Sequence, residues 1–388
     1  MPIVHVRKKQ MDEASVTQEQ EKPKTFEGLT EQGHDNNFDI LRVFWAVLVL
    51  FSHCFALPAG GNSREPLALL TKGQTTFGSL AVDAFFVISG FLITQSWLRS
   101  KGVGDYLRKR VLRIYPGFVV AALFCAVIVG PLASDSVAVY IHGFNLKLIL
   151  RFVWGVLTLS QLSLPPVFLH LPSPGEINGS LWTIRYEFWC YLFLALLGAS
   201  RLLKQRGAVA GLFLVVMLLH TAQEWFYPGI GQGNDVFKTG LLHGTELPLI
   251  GHPDRWPRLL AFYLAGTVCY LYRERIPRSP RIAVLCVLLL ALCVPWGFNA
   301  MLPLCGTYLL LYAASSPHHL GKALTQRADL SYGIYLYAYP VQQLLIQFLG
   351  KQINPFALFL IATPTVAAIA WLSWKLVEQP ALRRKKQT

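Results

Sequence analysis

Apolar residues in this chain fall in long runs, interrupted by short polar or Pro/Gly-rich segments. Ten runs predict membrane-crossing helices: about 38–57, 78–98, 116–133, 181–199, 208–222, 257–272, 281–296, 299–314, 330–349 and 356–375. A bilayer core asks for roughly 20 apolar residues per helix, and most of the runs approach that length. The run 144–164 is apolar too, but it holds Lys147 and Arg151 and stops at Pro165-Pro166. It is expected to lie in the interface or to re-enter. Residues 1–37 are rich in Gln, Glu and Lys and predict a disordered cytoplasmic tail. No apolar stretch of signal-peptide type follows a charged start there. Residues 379–388 predict a basic cytoplasmic tail. The expected fold class is all-α: a polytopic membrane helix bundle of about ten spans around a polar cavity, with 38–378 as one membrane domain.

Composition agrees with that pattern. The chain is 53% hydrophobic and 14% charged, with a mean hydropathy of +0.42, against roughly 25% charged residues in soluble domains. A net charge of +14 would suit nucleic acid in a soluble protein, but its placement points to membrane topology. With both termini cytoplasmic, the inside segments carry 25 Lys and Arg and the outside segments 8. That is a positive-inside bias. A full crossing by 144–164 would reverse the parity of everything after it and largely remove the bias. All seven Cys lie in apolar segments without a CxxC pair, so they are expected to be small packing residues, with no disulfide framework and no metal site.

The outside loops on this topology are 58–77, 134–180 and 223–256. The last is richest in polar and aromatic groups, among them Glu224, Asp235, His243, Glu246, His252 and Asp254. Asn178-Gly179-Ser180 matches a glycosylation acceptor, but it abuts a span and reads better as a helix start with Ser180 near the cap.

Against this apolar background a few polar residues carry the candidate chemistry. Arg42 and His53 interrupt the first run. Eleven residues at about 100° each end roughly 20° past three turns, so both lie on one helix face, about 16 Å apart along the axis. Ionisable residues inside a span are costly and usually face the bundle interior. A histidine's ordinary pKa, about 6.5, suits acid–base work. A core histidine bonded to a neighbouring helix, and an arginine reaching back to the membrane surface, would satisfy the same pattern.

Arg110 and Arg113 are at i,i+3 and share a face just before Pro116, which is expected to open the third span. Paired guanidiniums recognise phosphate; taken alone, ordinary positive-inside topology with anionic-lipid contact is the better explanation. Thr183, Glu187 and Tyr191 are spaced by four and share a face of the fourth span. Glu187 lies about two turns inside and is a candidate base or proton partner for a histidine. Arg185 is too near in sequence to face it. Asp83 opens the second span as an interfacial acid with a possible supporting role.

These segments together resemble the acyltransferase-3 family of integral membrane acyltransferases. The resemblance rests on Phe38-Asp-Ile-Leu-Arg42 with His53, the block Val82–Thr94 around Asp83, Arg110-x-x-Arg113-Ile-Tyr-Pro116, Thr183-x3-Glu187-x3-Tyr191, the block Leu330–Pro340, and Val377-Glu378-Gln379-Pro380. Thr183 replaces a serine of the pattern. Many members carry His near Ala338, and this chain does not.

The resemblance covers about residues 38–382. It implies transfer of an acyl group, usually acetyl, from cytoplasmic acyl-CoA to a hydroxyl of a cell-surface or exported carbohydrate, at the cytoplasmic (inner) membrane. Some members add an extracytoplasmic esterase-like domain; only 13 residues follow Lys375, so a stand-alone enzyme is expected. On this reading acyl-CoA is a substrate and no cofactor is permanently bound. Partners are the acyl-CoA, a carbohydrate or lipid-linked saccharide and the bilayer, with no nucleic acid. Arg110 and Arg113, with Arg42, would hold the phosphates. His53 would act as base, or as an acyl carrier, with Glu187 orienting it and Asp83, Thr183 and Tyr191 in support. A carbohydrate or lipid-linked sugar transporter is the rival reading, and a non-catalytic member of a glycan assembly complex a third.

Overall fold

The computed structural model describes residues 25–31, 36–226, 246–316 and 328–383. Of the polar residues noted in the last outside loop, Asp235 and His243 lie outside the described residues. The described residues form an all-α membrane helix bundle with no strand, only two isolated bridges. A helix stands at each of the ten expected spans: α1 (Phe38–Ala59), α2 (Phe77–Leu98), α3 (Val103–Phe124), α4 (Trp182–Ala199), α5 (Arg206–Phe226), α6 (Trp256–Leu271), α7 (Pro280–Cys293), α8 (Phe298–Ala314), α9 (Ser331–Leu349) and α10 (Pro355–Ser373). Five are long and apolar enough to cross a bilayer by themselves: α1, α2, α5, and the extended forms of α3 and α10. Helices α4, α6 and α9 carry polar groups turned inward, which lowers their hydropathy.

The third span differs from expectation at its start. It begins at Val103, capped by Gly102, and Pro116 lies inside the helix. The polar stretch 103–115 continues the apolar helix, with Lys109 paired to Asp105 one turn away at 2.6 Å. The helix then runs through a π-turn at Cys125–Val129 to Ala133. At the fourth span, Asn178 rather than Ser180 supplies the cap, its side chain accepting from Ser180 N at 3.2 Å. The apolar run 144–164 forms a helix only over Leu146–Leu157. Its 12 residues span about 18 Å, short of a bilayer core of about 30 Å.

Part of the segment expected to be a disordered tail is packed. Gly28–Glu31 is helical, Phe26 is fully buried against Tyr308, and Arg99 Nη2 donates to Thr30 O at 3.1 Å. At the other end Gln379–Arg383 continues as a helix beyond a π-turn.

Helices α2 and α6 meet backbone to backbone. A Cβ on Gly90 would stand 1.9 Å from Tyr263 O, and one on Gly266 2.1 Å from Val87 O. Small residues are what allow membrane helices to approach this closely. The same seam holds a buried ion pair, Arg258 Nη2 to Asp83 Oδ2 at 2.9 Å, each side chain 2% exposed. Asp83, expected near the interface in a supporting role, is therefore a partner of Arg258 between two helices. On the other side Gly333 of α9 lies against Ala370 of α10. Gln342 Nε2 donates to Leu50 O at 2.9 Å, joining α9 to α1. Helix α7 is peripheral, with Val284, Leu285, Val287, Leu288 and Leu292 exposed, as suits a lipid-facing helix.

Candidate active site

Arg42 and His53 both turn inward, but into different cavities. Arg42 lines one of about 70 Å³, with Arg113, Ser89, Thr183, Glu187 and Tyr191. His53 lines another of about 430 Å³, bordered by the loops after α1 and before α4 and α6. The larger lies within the range of ligand sites, the smaller far below it. Val82 and Tyr335 line both cavities. The wall between them is thus about one side chain thick, and Thr183 Oγ1 meets Tyr335 Oη within it at 2.6 Å.

One carboxylate, beside the smaller cavity but not in its lining, serves both of its arginines. Arg42 Nη1 lies 3.2 Å and Arg113 Nη2 2.6 Å from Asp329 Oδ2. Asp329 also accepts from the Ser331 hydroxyl and N–H at the start of α9. Burial alone would raise the Asp329 carboxyl. The Arg113 and Arg42 guanidiniums outweigh it and hold the group below the usual carboxylate range. Arg110, expected beside Arg113, does not line this cavity. Its Nη2 donates to Ser96 Oγ at 3.1 Å, and its guanidinium sits over the Tyr106 and Tyr191 rings. The i,i+3 spacing sets the two arginines on one face, yet their long side chains diverge to different partners.

Thr183, Glu187 and Tyr191 do share a face, and all three line the Arg42 cavity. Glu187 Oε1 accepts from Ser89 Oγ at 2.7 Å and from the Tyr191 hydroxyl. The structure does not bring Glu187 and His53 together: the carboxylate lines the other cavity, and its Oε1 is taken up by α2 and its own helix. Arg185 pairs with Glu246 at 3.0 Å.

His53 is partly exposed to its cavity, and its Nδ1 is buried without a hydrogen-bond partner. Nε2 is thus the nitrogen open to the cavity. The ring stands edge-on to Tyr339, centroids 5.4 Å apart at 85°. Tyr339 in turn donates to Glu176 Oε2 at 2.6 Å. Sequence reasoning did not single out Glu176 and Tyr339, which line this cavity, or Asp329, which pairs with Arg42 and Arg113. Tyr339 stood inside the block that carried the resemblance; Glu176 and Asp329 lie in loops, where no periodicity marks them. His252 and Arg255 also border the cavity. Burial, with Arg255 nearby, holds His252 below the usual histidine value. Arg255 lies over the Trp182 ring at 4.2 Å. Among the described residues no cluster of three or more His, Cys, Asp or Glu side chains forms a metal site.

His53, with one ring nitrogen buried and the other open, faces a ligand-sized space, and Val82 and Tyr335 part that space from the smaller cavity holding Arg42 and Arg113. The family model described as an acyltransferase domain matches residues 35–375. The chain belongs to this acyltransferase-3 family and is an acyltransferase. It is 31% identical over 353 residues to the O-acetyl transferase of Shigella phage Sf6, covering 90% of this chain and 96% of that protein. It is 30% identical over 374 residues to nodulation protein 10 of Rhizobium leguminosarum bv. viciae, covering 90% and 94%. The acyltransferase MdmB of Streptomyces mycarofaciens is 34% identical over 155 residues, 39% of this chain and 36% of that one. No solved structure matches.

Proposed function

We propose that this acyltransferase moves an acetyl group from acetyl-CoA to a hydroxyl of a carbohydrate. The donor phosphates would engage Arg42 and Arg113 at the cytoplasmic side, and the acceptor would occupy the His53 cavity. The observation that carries this is the pair of cavities, one on each side of Val82 and Tyr335. A donor reaching past that wall would bring its thioester to the histidine. The likeness to a phage O-acetyl transferase along almost the whole chain supports acetyl and oxygen as the group and the acceptor atom. The mixed polar and aromatic lining around His53 supports a sugar.

The chemistry asks little of the protein, because a thiolate is already a good leaving group. His53 Nε2 takes the proton of the acceptor hydroxyl as its oxygen attacks the thioester carbonyl. The tetrahedral intermediate collapses with cleavage of the C–S bond. The imidazolium returns its proton to the departing CoA sulfur, leaving ester, free CoA and neutral His53. With the donor phosphates held elsewhere, the histidine has no part in donor binding.

The test is purified protein in nanodiscs with acetyl-CoA and the unmodified surface glycan from cells lacking the gene, following free CoA and glycan ester together. Equal amounts of both are expected. Glycan movement across a membrane without ester formation would favour the transporter.

A further inference from the structure

We infer that Glu176 and Tyr339 form the acceptor subsite of the His53 cavity, a carboxylate and a phenol that grip neighbouring hydroxyls of one sugar ring. The inference rests on the proposed function, since it takes this cavity as the acceptor side.

The two residues are built into position. Gln343 Nε2 donates to Ser173 O at 3.1 Å and Asn178 Nδ2 to Leu336 O at 2.8 Å, laying the loop 173–178 along α9. Gly179 lets the ring and the carboxylate meet. A Cβ there would stand 2.6 Å from Tyr339 Cε2 and 3.0 Å from Glu176 Oε2. The Gln342 to Leu50 bond lies one turn beyond Tyr339 on α9 and one turn before His53 on α1. It fixes the separation of the two rings.

The carboxylate is left available. Only Oε2 is used, by Tyr339; Oε1 has no protein hydrogen bond and no ion pair among the described residues, and Glu176 is partly exposed to a space of about 430 Å³. Oε1 is not a buried orphan but stands at the edge of this space, where a ligand hydroxyl can reach it. An open one accepts hydroxyl donors, and charge-assisted bonds of this kind are among the stronger polar contacts. Sugar hydroxyls on adjacent carbons supply two donors at a fixed spacing. One on Glu176 Oε1 and its neighbour on the Tyr339 oxygen would set the ring beside the His53 imidazole. Trp182 and Tyr335 belong to the same lining and give it an aromatic border.

Glu176→Gln keeps the size and an acceptor oxygen for Tyr339 but removes the charge. In the nanodisc assay with acetyl-CoA and unmodified glycan, it is expected to raise the acceptor KM roughly tenfold or more. The acetyl-CoA KM should stay at the wild-type value. Tyr339→Phe, which leaves the ring beside His53, should raise the acceptor KM by less, and it carries the test if Glu176→Gln does not fold. An unchanged acceptor KM in both variants overturns the subsite. So does a fall in kcat with the acceptor KM intact, which would place Glu176 in the chemistry or in packing. A wild-type protein that transfers nothing to the glycan defeats the function itself, and the subsite with it; that failure is recognised because it appears before any substitution.

Discussion

Thr183 Oγ1 and Tyr335 Oη lie 2.6 Å apart in the wall that divides the Arg42 cavity from the His53 cavity. This bond ties α4 to α9 where donor and acceptor would meet. Tyr335→Ala is expected to join the cavities and admit water to the thioester. Acetyl-CoA hydrolysis without glycan should then rise above wild type, read as free CoA with a thiol reagent. Tyr335→Phe keeps the wall; it should leave hydrolysis unchanged and cost about 1 kcal/mol of stability in thermal or denaturant unfolding.

The ion pairs of Asp329 with Arg42 and Arg113 fill the place the donor phosphates would take. Phosphate must compete with that carboxylate. Arg113→Gln is expected to weaken acetyl-CoA binding in calorimetry, and Asp329→Asn to strengthen it while lowering the Tm of the donor-free protein. The aspartate is held below its ordinary pKa of about 4. Its contribution is therefore complete above that pH and lost only in acid. Between about pH 6 and 8 the effect of Asp329→Asn on donor affinity should not vary with pH. A wild-type-like affinity for the Asn variant would show that the carboxylate and the phosphates use different arginine atoms.

His53→Ala is expected to lower transfer by about 100-fold to 10,000-fold and to leave acetyl-CoA affinity intact. Glu187 lines the other cavity, so Glu187→Gln should alter the acetyl-CoA KM more than the acceptor KM and leave the pH profile of transfer in place. A Glu187→Gln profile displaced along the pH axis would restore the carboxylate to a partnership with the histidine.

Asp83 is expected to matter for folding. Asp83→Asn leaves Arg258 buried beside a neutral partner, and breaking such a pair costs about 3–5 kcal/mol. Yield and Tm should fall. Asp83→Leu combined with Arg258→Met should recover most of the loss, because an apolar pair of similar size removes both charges. If the single variant matches wild type in stability but loses transfer, Asp83 acts in the site.

Orientation is checked by single cysteines in a background without native Cys. The charge bias of 25 against 8 predicts that Lys101→Cys labels only from the cytoplasm and Asp135→Cys only from outside. Reversed labelling would turn the bundle over and exchange the assigned donor and acceptor sides.

The spans were legible because lipid imposes long apolar runs; the start of α3 and the short helices Gly28–Glu31 and Gln379–Arg383 escaped. At the start of α3 the membrane stops constraining composition, and a charged amphipathic stretch continues the same helix past Pro116. The inward direction of Arg42 and His53, and the common face of Thr183, Glu187 and Tyr191, followed from helical period. What sequence could not supply was which helix each residue meets. Asp83 finds Arg258 across 175 positions and Arg113 finds Asp329 across 216. No local spacing encodes such pairs. Arg110 and Arg113 show the opposite failure: one face of a helix, two destinations, because a long side chain reaches beyond the direction its Cα sets.

The contact of Gly90 with Tyr263 O and of Gly266 with Val87 O has a mechanical consequence. At that seam no side chain lies between the two backbones, so no rotamer change can absorb a displacement. Sliding α2 along α6 would drive the Cβ atoms of neighbouring residues into carbonyl oxygens, and the buried Asp83–Arg258 bridge would shear with them. Helices α2 and α6 therefore behave as one rigid strut. Carriers that expose a site alternately to the two sides do so by rocking one half of the molecule against the other. A rocking movement that parted the molecule along this line would have to break that packing, so a moving surface would have to run between other helices.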